Sequence, residues 1–505
     1  MIKKVLIANR GEIAVRVMRS CREMGIGTVA VFSEADRSSQ HVRYADEAYF
    51  IGPSPSNESY LVIDKIIEVA KTSKADAIHP GYGFLSENAV FSDRCKQEGL
   101  IFIGPPADAI STMGDKITAR DTMIRAKVPV VPGTRQAIQD EKEAEKTAEQ
   151  VGLPVMVKAS AGGGGKGMRL VKDRKDLMSG IRAARSEALS AFGDDSVYIE
   201  KYIESPHHIE FQILADSHGN VIHLCERECS VQRRHQKVIE ETPSPFMTPE
   251  LREKMGKAAV AAARAVKYEG AGTIEFLVDK DRNYYFLEMN TRLQVEHPIT
   301  ERVVGIDLVR EQIRIASGEK LSHRQSDIRQ TGHAIECRIY AEDPDNNFMP
   351  SPGTILQITQ PSGPGVRVDG YVYAGYRIPL YYDPMISKLI TWSDTRDSAI
   401  LRMKRALREY RITGVKTSIK FLERVMENKQ FAGGIYDTHF IDENIAELTG
   451  PAKKERPREE DIAIIAAFID YNDKLSKLQS IKSFQSNGGS SPWKHFGRKK
   501  GVMRM

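Results

Sequence analysis

The chain has 505 residues, 41% of them hydrophobic and 28% charged, with a mean hydropathy of −0.39. That composition excludes collagen-like and disordered chains and suits about three globular domains. The formal charge is +5, but residues 451–505 carry 12 Lys+Arg against 6 Asp+Glu, so the excess is in the tail and the body is close to neutral.

A basic tail without a recognition motif gives no footing for nucleic-acid binding. No apolar run approaches the ~20 residues that span a bilayer. The N-terminal apolar run, residues 5–8, is shorter than the roughly 7–15 residues of a secretory segment, so a buried strand and a cytoplasmic protein are expected. The cysteines, Cys21, Cys95, Cys225, Cys229 and Cys337, are odd in number and scattered, which suits free thiols. Cys225 and Cys229 have no second pair to complete a zinc site.

In chain order, the first ~115 residues alternate strand-like runs ("KKVLIA", "TVAVF", "DAIHPG", "LIFIG") with helical ones ("EIAVRVMRSCREMG", "YLVIDKIIEVAKTS"). This βαβα order predicts an open parallel sheet covered by helices. Ligands then bind beyond the carboxyl ends of the strands, at "ANRGE", "HPGYGFLSEN" and "IGPP". No Gly-x-Gly-x-x-Gly follows the first strand, which argues against a dinucleotide site. Residues 116–146 read as mostly helical. A small α+β unit over 151–204 and a larger mixed region to about 446 follow, then a possible amphipathic helix over 459–478 and a Gly/Ser/Lys-rich end.

Within the α+β unit, "KASAGGGGKGM" (158–168) suggests a phosphate loop. It fails the Walker pattern at Ser160 and Gly167, and a strand follows instead of a helix. The expectation is a β–loop–β hairpin whose glycine amides cover phosphates, with Lys158 and Lys166 adding charge.

A second pattern is "YYFLEMNTRLQVEH" (284–297). If the chain stays extended, Tyr284, Phe286, Glu288, Asn290, Arg292, Gln294 and Glu296 share one face. A four-residue loop joins it to "GTIEFLVD" (272–279), which places Asp279 opposite Tyr284 and Glu275 opposite Glu288. Opposed like charges destabilise a sheet, and a bridging divalent cation reverses that. Asn290 supplies another oxygen, a donor set that suits Mg²⁺ or Mn²⁺ shared with phosphates. In "GHAIECRIYAED" (332–343), Glu336 and Arg338 share a face, and an inward arginine seeks an anion. Gln232, Arg233, Arg234, His235 and Lys237 form a further cluster of donors.

These stretches, with "MGDK", "RECSVQRRHQKVIEE" and "YYDPMISKLI", closely resemble the biotin carboxylase family of ATP-grasp enzymes over about residues 1–446. One departure is Ala161, where the family often has a further glycine. The resemblance implies a multidomain α/β and α+β fold: an N-terminal domain over 1–115, an ATP-grasp region over 116–317 with its lid at 131–204, a C-terminal domain over 318–446, and a basic extension over 447–505.

It implies that ATP phosphorylates bicarbonate to carboxyphosphate and that biotin N1′ is then carboxylated. By matching, Lys116, Lys158, Gly164, Gly165, Glu200, Lys201, Ile203, His208, Gln232, His235, Glu275 and Glu288 would bind ATP. Glu275, Glu288 and Asn290 would hold the metal. Lys237, Arg292, Gln294 and Val295 would cradle bicarbonate, with Glu296 as its base. Arg338 would stabilise the biotin enolate, beside Tyr82 and Gly83.

The resemblance also implies a homodimer that works with a separate biotin carboxyl carrier protein and a carboxyltransferase, as in acetyl-CoA carboxylase, because no Met-Lys-Met biotinylation signature is present. The alternatives are another ATP-grasp ligase that joins a carboxylate to an amine and a non-catalytic nucleotide-binding scaffold.

Overall fold

Val5, Leu6 and Ile7 are wholly buried, and the strand they form, β1 (Lys4–Ile7), is the middle of a five-stranded parallel sheet. The computed structural model describes residues 2–134, 136–138, 140–160, 168–450 and 459–482. Around β1 lie β2 (Gly27–Ser33), β3 (Glu47–Gly52), β4 (Ala77–His79) and β5 (Ile101–Phe102), in the order β3-β2-β1-β4-β5. Helices α1 (Gly11–Glu23), α2 (Gln40–Tyr44), α3 (Ile63–Thr72) and α4 (Ala89–Gln97) connect them, as the alternating pattern predicts. α1 ends where Gly25 takes a left-handed φ of 71° and Ile26 N–H donates back to Cys21 O at 2.8 Å.

The loops at the carboxyl ends of β1 and β4 are tied together by Asn9, whose amide donates to the carbonyls of Pro80 and Tyr82 at 2.7 Å each. Gly81 permits this approach: its φ is +65°, and a Cβ there would stand 2.8 Å from Asn9 Nδ2.

After α5 (Ala107–Gly114), α6 (Lys116–Arg125) and α7 (Glu141–Val151) comes a three-stranded sheet of β6 (Val155–Ala159), β7 (Met168–Val171) and β8 (Val197–Lys201), backed by α8 (Leu177–Phe192). β6 and β7 pair antiparallel with Lys158 opposite Met168, so the glycine run does join two strands. Residues 161–167, which include Gly164, Gly165 and Lys166, lie outside the described residues.

The largest sheet has eight strands. β9 (His207–Ala215), β10 (Val221–Arg233), β11 (Gln236–Thr242), β12 (Gly270–Val278), β13 (Tyr284–Asn290), β14 (His333–Tyr340), β15 (Val366–Gly370) and β16 (Met385–Ser393) run in the order β13-β12-β9-β10-β11-β14-β16-β15. α9 (Pro249–Ala265), α10 (His297–Val304), α11 (Leu308–Ala316), α12 (Arg396–Glu409) and α13 (Ile419–Glu427) accompany it. β9 is buried along its whole length. Ile209, Phe211 and Ile213 enter a core with Phe276, Phe286 and Met289, while His208, Glu210 and Gln212 alternate on the other face.

Two register expectations need correction. Glu275 does face Glu288, but a bulge between Glu275 and Phe276 leaves Leu287 as the extra residue, so Val278, not Asp279, faces Tyr284. The shift buries Phe286 in the apolar core instead of adding it to the polar face. Extended chain also stops at Asn290, and Glu296 is the N-cap of α10.

The chain divides into two units, Met1–Thr449 and Gly450–Met505. The second contains the helix Glu459–Lys482, on which Ile464, Ile465, Phe468, Ile469 and Tyr471 are exposed. No helix among the described residues is long and apolar enough to cross a membrane.

Phe276 is buried and meets Phe211 edge-on, with centroids 6.2 Å apart. Phe276→Ala should therefore cost about 3–5 kcal/mol, read as a lowered urea midpoint of the purified protein. An unchanged midpoint contradicts this packing.

Candidate active site

Every described residue of the predicted set except Glu296 lines one cavity of about 1000 Å³. Its floor is the polar face of β9, β10, β11, β12 and β13. Its walls are the three-stranded sheet and the carboxyl-end loops of the parallel sheet. Glu296 is completely buried behind Lys237 and Arg338, which themselves line the cavity.

Lys237 is the hub. Its ammonium donates to Glu210 Oε2 at 2.5 Å, Glu296 Oε1 at 2.7 Å and Glu275 Oε1 at 2.8 Å. Burial opposes its charge, but Glu210, Glu275 and Glu296 outweigh burial and hold its pKa well above the usual lysine value. The same contacts act in reverse on Glu296. Burial would raise it, yet Lys237, Arg338 and Arg227 keep it well below the ordinary carboxylate range, so it is ionised at neutral pH. Arg338 reaches Glu296 Oε2 at 3.0 Å.

Glu275 and Glu288 have their affinities for protons pushed apart. Partial loss of water raises both, Glu275 buried and Glu288 open on the cleft, but Lys237 and His208 pull Glu275 down, whereas Glu275 pushes Glu288 up further. Glu275 also accepts from the Asn290 amide at 2.8 Å and the Gln294 amide at 2.9 Å. An opposed carboxylate pair with an amide oxygen nearby is a hard, oxygen-only donor set, which fits Mg²⁺ or Mn²⁺. His208, Glu210 and Glu275 also converge. Arg227 and Lys237 already neutralise those two carboxylates, so that trio is a weaker cation site.

At the other end of the cavity, Lys158 pairs with Glu200 Oε2 at 2.7 Å. Lys116 opens α6, where burial lowers its pKa and Glu288 partly restores it. Lys201 turns its ammonium to the carbonyls of Gly152 and Leu153 at 2.9 and 3.1 Å. Gln232 donates to His208 Nδ1 at 2.7 Å, and His208 Nε2 lies 2.7 Å from Glu275. His235 sits in the left-handed turn between β10 and β11, with φ 65°. Arg292 fans out to Glu87, Asn290 and Gln294 at 2.8, 2.8 and 2.9 Å. Tyr82 donates to Glu12, and the left-handed Gly83 follows it.

Several residues in this network escaped the sequence reading. Arg227 is fully buried and bonds Glu210 at 2.5 Å, Gln212 at 2.7 Å and Thr300 at 3.0 Å, which fixes the carboxylate that orients Lys237. The alternation His208-Glu210-Gln212 was the available signal. Arg120 donates to Glu200 at 2.9 Å. Lys388, wholly buried, donates to Val295 O at 2.8 Å and lies 3.1 Å from Glu12. Lys388 and Glu87 lie within "YYDPMISKLI" and "HPGYGFLSEN", but nothing local in the sequence gives them, or Arg120, these partners.

Lys237→Met removes the cation that Glu210, Glu275 and Glu296 share and leaves each buried carboxylate with one partner, Arg227, His208 or Arg338. Without nucleotide or divalent ion it should destabilise the protein by about 3–5 kcal/mol near pH 8. In the wild type, the depressed Glu275 and Glu296 contribute stability above an unfolded pKa of about 4.3 and lose it as pH falls further. In the variant their folded pKa rises above that value, so the penalty shrinks as pH falls. Thermal midpoints from about pH 8 to pH 5 should converge; a gap that stays constant or widens toward acid contradicts this account.

Known proteins resemble this chain in sequence and fold. The biotin carboxylase N-terminal domain family matches residues 1–110, the carbamoyl-phosphate synthase L chain ATP-binding domain family residues 115–324, and the biotin carboxylase C-terminal domain family residues 336–443. Biotin carboxylase 1 of Bacillus subtilis is 56% identical over 443 residues, 88% of this chain and 98% of that protein. A pyruvate carboxylase subunit of Methanothermobacter thermautotrophicus is 58% identical over 443 residues, 88% of this chain and 90% of that protein. The crystal structure of the biotin carboxylase domain dimer of Hydrogenobacter thermophilus 2-oxoglutarate carboxylase, with MgADP, ADP and bicarbonate, aligns at a TM-score of 0.86 and 49% identity, covering 90% of this chain and 100% of that one.

Proposed function

We propose how individual side chains divide the work in a chain that belongs to the biotin carboxylase family. It is an ATP-dependent ligase that carboxylates biotin with bicarbonate, using ATP, Mg²⁺ and biotin presented on a carrier. The residue roles that follow are our reading. The observation that carries them is the double ion pair on Glu296, with Lys237 at 2.7 Å and Arg338 at 3.0 Å, beside the opposed Glu275 and Glu288.

The nucleotide base lies against Glu200, Lys201 and Ile203, with Arg120 steadying Glu200. Lys116, Lys158, His208, Gln232 and His235 face the phosphates, and we assign Gly164 and Gly165, which lie outside the described residues, to the same ligand. Glu275, Glu288 and Asn290 would hold Mg²⁺, which would supply positive charge to the polyphosphate.

Arg292, Gln294, Lys237 and the Val295 amide hold bicarbonate. Lys388 fixes the Val295 peptide through its carbonyl. Glu296 is ionised and takes the bicarbonate proton, so the oxygen left behind attacks the γ-phosphorus. ADP leaves and carboxyphosphate forms. Bicarbonate is a poor nucleophile, and fixed orientation plus a base together overcome this. Carboxyphosphate hydrolyses readily, so the three-stranded sheet that walls the cavity has to keep water from it. Arg338 then receives the developing negative charge on the biotin ureido oxygen, with Tyr82 and Gly83 as the wall.

We assign the domain limits given above, with the final acceptor chosen by a carboxyltransferase that pairs with this chain, and a homodimer as the working form. The relatives support a variable acceptor, since they include proteins named for pyruvate and for methylcrotonoyl-CoA. Five free cysteines, four of them buried, support a reducing cytoplasmic compartment.

Glu296→Gln should lower biotin carboxylation by about 10²–10⁴-fold while ATP still binds. ADP formation in the wild type should require bicarbonate. ADP release indifferent to bicarbonate, or full carboxylation by the variant, would sink this reading.

A further inference from the structure

Behind Arg338 lies a group of side chains that the steps above leave without a task. Glu240 on β11 and Glu336 on β14 are direct partners across the antiparallel pair, and both are completely buried. Opposed like charges destabilise a sheet, and a buried ionised carboxylate needs a partner. Arg338 Nε donates to Glu240 Oε1 at 2.6 Å. Glu240 Oε2 and both oxygens of Glu336 meet no hydrogen-bond donor among the described residues.

Among the described residues, no second cation is hydrogen-bonded to either carboxyl. On β16, Ile390 pairs with Glu336 and belongs to an apolar cluster with Ile299, Val303 and Ala334. The charged groups that face the two carboxyls are Arg338 on β14, Lys388 on β16, Lys237 on β11 and Glu296 ahead of α10. Lys388 is engaged by Val295 O and Glu12, and Lys237 by Glu210, Glu275 and Glu296. His297, at the start of α10, is held neutral by burial, which lowers its pKa well below the usual histidine value.

We infer that Glu240 and Glu336 hold one proton between them, resident on Glu336, and that this proton preserves the positive charge Arg338 presents to biotin. The inference rests on the assignment of Arg338 as the partner of the ureido oxygen. Without the proton, Arg338 faces three carboxylates, Glu240, Glu296 and Glu336, and an over-neutralised guanidinium is a poor host for a developing oxyanion. With it, Glu240 fixes the guanidinium through Nε, and Glu336 becomes a neutral acid whose O–H can serve the orphaned oxygen of Glu240. Burial is the largest influence on both groups. It pushes Glu336 well above the ordinary carboxylate range and Glu240 up to about 7 against the pull of Arg338. Neither group touches substrate; both are positioning residues.

The test uses the full chain. Infrared spectra of the wild type near neutral pH should show a protonated-carboxyl C=O band that is absent in Glu336→Gln and titrates away in alkali. Because the amide cannot lose a proton, the alkaline limb of kcat for biotin carboxylation should move up by about one pH unit or more in that variant. Glu240→Gln is the second variant, independent of whether the first folds. It removes the neighbouring charge, so the Glu336 band should titrate at lower pH. Absence of the band from the wild type overturns the shared proton, as does a titration unmoved in Glu240→Gln. An alkaline limb unchanged in Glu336→Gln overturns the link to Arg338. Carboxylation retained by Arg338→Gln with the band intact overturns only the part that reaches biotin, so the two failures are distinguishable.

Discussion

One buried ammonium organises the centre of this protein. Lys237 stands among Glu210, Glu275 and Glu296, three carboxylates from three separate segments of the chain. Such a cluster is tolerable only because each charge is balanced locally. Arg227 shares Glu210, Arg338 shares Glu296, and His208 shares Glu275. Taking any member away leaves another uncompensated, so the network fixes the positions of the groups that meet substrate. It also separates roles by environment: Glu296 is held ionised, while Glu288, to which no cation among the described residues is bonded, remains open on the cleft.

The large sheet is what permits this balance. β9 lies between β10 and β12, so its polar face carries His208, Glu210 and Gln212 into the middle of the site while its other face closes the apolar core. The electrostatics and the hydrophobic core are therefore two sides of one strand. The same economy appears at Arg338, which reaches Glu296 on one side and the Glu240–Glu336 pair on the other.

Much of the site was legible before any coordinates. Glu275 does face Glu288 as expected, because the bulge at Leu287 offsets a connection one residue longer than the expected four, and failure of the Walker pattern at Ser160 and Gly167 correctly predicted paired strands around the glycine run. The local register nearer the turn was not legible, because burying Phe286 required a bulge that strict alternation cannot anticipate. Contacts across long sequence separations were also hidden. Glu87 reaches Arg292 across 205 residues and Arg120 reaches Glu200 across 80; Glu87 lies in "HPGYGFLSEN", but no local pattern points either residue to its partner. The Glu240–Glu336 opposition depends on β11 lying beside β14, which strand order alone determines. The carboxylate–amine ligase alternative needs the nucleotide and metal groups but gives no task to the Arg292, Glu296 and Arg338 set, which the structure gathers at one end of the cavity.

The central claim is that Glu296 activates bicarbonate to attack the γ-phosphorus of ATP. The direct measurement follows oxygen. With ¹⁸O-labelled bicarbonate and a biotin acceptor, the inorganic phosphate released should carry one bicarbonate oxygen for each biotin carboxylated, and Glu296→Gln should abolish that transfer. Phosphate whose new oxygen comes only from water, with carboxybiotin still forming, would contradict the account.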